Sequence, residues 1–157
     1  MQVQPDDFNA LAAVARYYVL TRDQIQSICF AGQASGRATR KRLLRLRNAG
    51  FLTKHSVQIV LPGTNGAAPV YYATKKGAEA LASFFDDDRF LATNTKHPRA
   101  DRLSHWIAIN STRLIVERAV AAQTEVTLDG WFNEWETINK DASPQQQFAL
   151  HTQLSEN

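Results

Sequence analysis

Between Ser35 and Lys54 the chain carries Arg37, Arg40, Lys41, Arg42, Arg45, Arg47 and Lys54, and not one Asp or Glu. Guanidinium forks and ammonium groups gathered this way set up a local positive field suited to a polyanion such as a phosphodiester backbone. An ordinary solvated helix face mixes both signs, because opposite charges three or four residues apart support one another. A helix with six cations and no anion forgoes that support. The acids collect elsewhere, notably at Asp86-Asp87-Asp88, so the formal net charge of +3 understates the segregation.

Other chemistry-bearing residues form weaker patterns. Asp129, Glu134, Glu136 and Lys140 loosely suggest a metal-dependent nuclease, with carboxylates holding Mg²⁺. No proline–aspartate element precedes Glu134-Trp135-Glu136, and Lys140 stands four residues past Glu136, so solvated surface is the better reading. His55, His97, His105 and His151 lack metal-ligand spacing, and His105 is read as a packing or hydrogen-bonding residue. The single cysteine, Cys29, can form neither an internal disulfide nor a thiolate zinc site and reads as a small core residue. No catalytic residue, metal or cofactor is expected, and the chain is not read as an enzyme.

The elements that must position the cations follow from periodicity and capping. A first helix is expected over about Asp6–Tyr18, with Phe8, Leu11, Ala12, Ala15 and Tyr18 on one face. Thr21 and Gln24 form a capping box, with Leu20 and Ile25 as its hydrophobic staple, and open a second helix that stops at Ala31-Gly32. Ser35 caps a third helix reaching Ala49, and Gly50 ends it. Leu43, Leu46 and Ala49 should face inward, with Leu44 beside them, and Arg37, Lys41, Arg45 and Asn48 outward. Val57, Ile59 and Leu61 then alternate with Ser56, Gln58 and Val60, and Val70-Tyr71-Tyr72 returns, making a hairpin over Leu52–Tyr72 around a breaker-rich loop. Thr74 caps a fourth helix, Lys75–Phe85.

The remainder reads as a linker over 86–100, then a region over 101–140 made of a long helix and a short hairpin (Glu125–Leu128 and Gly130–Trp135), then a flexible tail over 141–157. The long helix is apolar around much of its circumference, so two surfaces must cover it. Leu103, Ile107 and Leu114 share one stripe, with Trp106, Val116 and Val120 on others, which marks a homodimer interface.

The order helix, helix, helix, hairpin, helix over 1–85 is that of a winged helix-turn-helix: mainly α with a small β-hairpin, an α+β class, followed here by the long helix. In such a plan the third helix enters the major groove of double-stranded DNA and its first turns favour base edges. Arg37, Arg40, Lys41 and Arg45 are then the candidates for bases and phosphates, with Thr39 available for a thymine methyl or a phosphate. Arg42 and Arg47 flank them toward phosphates, and Asn48 completes the outward row. Lys54 and His55 at the base of the wing, and Thr64 and Asn65 at its tip, add backbone contacts. The tip holds no Arg or Lys, so specificity should rest on the helix.

Four stretches carry a family resemblance. Ala13–Ile25, Thr39–Leu52, Val70–Gly77 and His105–Asn110 resemble the replication-relaxation family over about residues 8–120. The resemblance implies a winged-helix DNA binder encoded by plasmids, phages or integrative elements. It would act in plasmid replication, relaxation or mobilisation, as a transcriptional regulator or as an accessory factor at a transfer or replication origin. A relaxase or other mobile-element protein is then the expected protein partner. The competing class is a winged-helix docking module whose cations meet an acidic protein; steep salt dependence on duplex DNA separates the two. No apolar run reaches the roughly 18 residues of a membrane span, and MQVQPDDF has no secretory pattern, so a cytoplasmic setting is expected.

Overall fold

The computed structural model describes residues 2–32, 36–60 and 67–133, together with 141, 143 and 144. The chain divides into two compact units, residues 1–115 and 116–157. Helices combine with small antiparallel sheets, an α+β composition.

In the first unit, α1 (Pro5–Tyr17) starts with Pro5, whose missing N–H costs nothing at that position, and with Asp6 and Asp7 against the positive end of the helix dipole. The Gln4 N–H donates to the Asp7 carboxylate at 2.9 Å. The helix ends at Tyr18, which adopts φ +68°, a left-handed conformation costly for a bulky residue. Two contacts hold it there: its hydroxyl donates to the Lys96 carbonyl at 3.2 Å, and its ring meets the Trp106 ring edge-on at 5.1 Å.

That turn feeds β1 (Val19–Thr21), a strand the sequence reading lacks. All three residues are buried, so no apolar/polar alternation advertises it. Thr21 then caps α2 (Arg22–Cys29) as expected: its hydroxyl accepts the Gln24 N–H at 3.2 Å, and Gln24 Oε1 accepts the Thr21 N–H at 2.9 Å. Next, α3 (Arg37–Asn48) closes with a Schellman motif at Gly50, φ +76°. The Phe51 N–H reaches the Leu46 carbonyl and the Gly50 N–H the Arg47 carbonyl, both at 2.9 Å. The proposed Ser35 cap lies outside the described residues.

The expected hairpin is split into two ladders. β2 (Leu52–Lys54) pairs with β5 (Val70–Ala73), and β3 (Ile59–Val60) with β4 (Ala67–Ala68), all antiparallel. β5 also pairs with β1 in the register Leu20↔Tyr71, giving a three-stranded sheet in the order β1-β5-β2. Thr74 caps α4 (Lys75–Phe85) by accepting the Gly77 N–H at 3.0 Å. Gly77 is required for close approach, because a Cβ there would lie 2.2 Å from the Phe51 carbonyl oxygen. Leu11, Val14, Leu20, Ile25, Leu43, Leu46, Leu52, Leu81 and Leu114 meet in one core. Each such side chain contributes about 1.5–3 kcal/mol by leaving water.

The segment 86–100, expected as a linker, lies inside the first unit. A 3₁₀ turn over Asp88–Ala92 follows α4, and residues 96–98 beyond it strap across the sheet, bonding to Tyr18, Tyr72 and His55. His55 is buried beneath this strap; it accepts the Val57 N–H at Nδ1 (3.0 Å) and donates from Nε2 to the Pro98 carbonyl (3.0 Å). The His97 ring stacks on it at 4.8 Å and shares a 2.8 Å hydrogen bond with the Tyr72 hydroxyl.

The long helix α5 (Leu103–Ala121) begins in the first unit. Leu103 and Ile107 are wholly buried there, and Leu114 joins the core. Asn110 donates from its side-chain amide to the Tyr17 carbonyl (3.0 Å) and the Val19 carbonyl (2.6 Å). Gln24 reaches the Ile107 carbonyl at 3.2 Å and Ser111 at 3.0 Å. In the second unit α5 ends, and residues 122–133 hold no strand. The hairpin expected over Glu125–Leu128 and Gly130–Trp135 is therefore absent from its described part; Val126 and Phe132 are exposed, so no buried face sets a register. The expected flexible tail falls almost wholly outside the described residues.

Candidate nucleic-acid interface

α3 is two-sided, but its outward face differs from the one the leucine spacing suggests. Leu43 and Leu46 face the core, joined by Thr39 and by Arg45, only 5% exposed. Arg45 is held by Asp7, itself without solvent exposure: Nε donates to one carboxylate oxygen at 2.7 Å and Nη2 to the other. This two-pronged geometry suits a guanidinium and a carboxylate. Burial by itself would raise the Asp7 carboxyl, but the Arg45 hydrogen bonds, the Gln4 N–H and the charges of Arg45 and Arg42 outweigh it and hold it below its ordinary value. Arg42 reaches Asp7 at 3.4 Å and Asp6 at 3.2 Å, and its guanidinium lies 4.9 Å from the centre of the Phe30 ring.

Three assignments change as a result. Arg45 is an anchor between α1 and α3 rather than a contact residue. Thr39 is buried and presents no hydroxyl or methyl outward. Arg42 spends its charge on two acids, so its reach to a phosphate is curtailed. What remains exposed is Arg37, Arg40, Lys41, Leu44, Arg47 and Asn48. Their spacing of i, i+3, i+4, i+7, i+10 and i+11 makes one continuous stripe. Among the described residues none of the four cations in it is in an ion pair. Leu44, 45% exposed at its middle, is the member that sequence reasoning placed beside the inner leucines.

The other candidates are scattered. Lys54 is half-buried on β2, where it pairs in register with Tyr71. His55, expected at the wing base as a backbone contact, is buried under the strap and unavailable. Thr64 and Asn65 lie outside the described residues, as do Glu134, Glu136 and Lys140. Asp129 accepts a hydrogen bond from Thr127 at 3.2 Å. No trio of His, Cys, Asp or Glu among the described residues could hold a metal ion. Cys29 is partly buried and its thiol is pushed up to about 11 by burial, against the opposing charge of Arg42, so it is a poor thiolate nucleophile. His105 is exposed on α5.

The interface expected on α5 is also reduced. Leu103, Ile107 and Leu114 already serve the chain's own core, and Trp106 is half-buried against Tyr18. Val116 and Val120, past the end of the first unit, are partly exposed. In the first unit's part of α5 the large apolar residue left outward is Ile115, 67% exposed. No described helix is long and apolar enough to cross a membrane.

The family assignment rests on most of the chain. The replication-relaxation profile matches residues 11–150, most of its length. The chain belongs to the replication-relaxation family. That membership covers α3, the sheet and α5 together, and carries a role related to replication and relaxation. A comparison with curated proteins returns no match.

Proposed function

We propose that this replication-relaxation protein is a double-stranded DNA-binding protein of the winged helix-turn-helix type, with α3 as the helix that enters the major groove. The observation that supports this most is the outward stripe of α3: Arg37, Arg40, Lys41 and Arg47 with no acidic residue on that face. The acids close to α3, Asp6 and Asp7, are drawn to Arg42 and Arg45 on its flank and core side. The stripe is thus left uncompensated, as a phosphate-facing helix requires. Arg37, Arg40 and Lys41, in the first turns, take base edges and nearby phosphates; Arg47 and Asn48, toward the end, take phosphate and sugar. The segment between β2 and β5 serves as the wing.

Family membership and this electropositive helix together support action on a mobile element, as a transcriptional regulator or as an accessory factor at a plasmid transfer or replication origin. A relaxase or another protein of the same element is the proposed protein partner, and no metal or cofactor is needed for binding. Pairing of two copies stays in this reading only through the outward side of α5, around Ile115; a monomer mass by light scattering at binding concentrations removes it. Footprinting on the DNA flanking the protein's own gene tests the reading. Protection of a discrete site is expected, over a promoter for a regulator and over an origin for an accessory factor. Absence of protection at low salt contradicts it.

A further inference from the structure

We propose that Leu44 reads the C5 methyl group of a pyrimidine, thymine in unmodified DNA, and so makes the protein's preferred site depend on a thymine at one defined position. This rests on α3 entering the major groove as proposed above. Leu44 sits at the centre of the outward stripe, with Arg40 and Lys41 one turn before it and Arg47 and Asn48 one turn after it. It is 45% exposed on a helix whose other two leucines, Leu43 and Leu46, are almost wholly buried. The core therefore does not need it.

An aliphatic side chain offers no hydrogen bond. Donors and acceptors make up the major-groove edge of every base pair apart from one apolar feature, the methyl group of thymine. Deoxyribose also offers apolar surface, but it lines the walls of the groove. A residue at the middle of the stripe, with cations on either side to reach the walls, is aimed at the floor. Arg40 and Lys41 can hydrogen-bond base edges and phosphates and Arg47 the backbone, whereas Leu44 adds a requirement for a methyl group that no charged side chain can impose.

The test begins with selection of a binding site from a random duplex library by the wild-type protein. The selected duplex is then resynthesised with deoxyuridine replacing thymidine one position at a time, which deletes only the methyl group. Loss of one buried methyl predicts about fourfold weaker binding at one position or two. Leu44→Ala and Leu44→Gln, both surface changes on an intact helix, should bind the thymine site more weakly and be indifferent to uracil at that position. The variant arm matters because removing a methyl also alters the stiffness and hydration of DNA. If every thymine-to-uracil change is neutral in the wild type, the inference is overturned while DNA binding stands. The same holds if Leu44→Ala keeps the full uracil penalty. If duplex is retained but no sequence is enriched, this inference is overturned while DNA binding stands; if no duplex is retained even at low salt, the DNA-binding reading itself fails, and this inference with it.

Discussion

α3 and α5 each carry apolar and polar residues around most of their circumference, yet they end in opposite situations. α3 keeps a continuous exposed stripe of four cations, one leucine and one asparagine. α5, the helix whose apolar stripe suggested a second subunit, spends Leu103, Ile107 and Leu114 on its own core. Both also bury a polar side chain whose partner is remote in sequence: Arg45 against Asp7 on α3, and Asn110 against the Tyr17 and Val19 carbonyls on α5. On α3 the pair brings inward a side chain that the leucine spacing places outward, whereas on α5 Asn110 lies on the expected stripe of Leu103, Ile107 and Leu114. A basic residue is not a contact residue until its own chain has been searched for an acid.

The largest expected effect comes from breaking the first of these pairs. Asp7→Asn or Arg45→Met should each destabilise the fold by about 3–5 kcal/mol in urea unfolding, since each leaves its partner buried without its main counter-charge. The double variant Asp7→Leu/Arg45→Met should recover most of that loss. If the single changes cost under about 0.5 kcal/mol, the buried pair is not what orients α3.

Asn110→Ala removes both hydrogen bonds that fix α5 to the turn after α1 and leaves two carbonyls unsatisfied. About 1–3 kcal/mol is expected by the same measurement. An unchanged midpoint would show that apolar packing alone holds the helix.

A smaller effect is acid sensitivity. The Asp7 carboxyl lies below its ordinary value of 3.8 in the folded chain, so its stabilisation is complete well above that pH. It is lost as the pH falls below 3.8 and Asp7 takes up a proton. Unfolding curves from pH 6 down to pH 3 should therefore fall less steeply for Asp7→Asn than for the wild type. Asp87 and Asp101 are also lowered, by hydrogen bonds to Arg89 and Arg99, but those pairs are local and solvated and should contribute little. Equal acid dependence in the two proteins would place the acid-sensitive group elsewhere.

Much of the first unit was legible because its signals are local. The Thr21–Gln24 box, the Thr74 cap, the Gly50 stop and the return of Val70-Tyr71-Tyr72 each need only a few neighbouring residues. β1 was hidden because a strand of three residues, buried throughout, has no period to detect. The strap over His55 was hidden because its contacts join residues about forty positions apart, Pro98 to His55 foremost. At the candidate interface, Arg37, Arg40, Lys41, Arg47 and Asn48 were legible from charge and spacing. Arg45 was not, because Asp7, which claims it, lies 38 residues away. Leu44 was placed beside the inward leucines; its exposure emerges only when Arg45 and Thr39 occupy inward positions.

The central claim is that the outward side of α3, and not its buried anchor, meets duplex DNA. Fluorescence anisotropy of a labelled duplex, titrated at several salt concentrations, tests it most directly. Wild type should show log affinity falling against log salt with a slope of roughly −3 to −4, as expected for about four phosphate contacts. The variant Arg37→Ala/Arg40→Ala/Lys41→Ala should keep its unfolding midpoint, lose at least two units of that slope and bind far more weakly at every salt concentration. A variant that binds duplex as tightly as the wild type, with the same slope, would contradict the account.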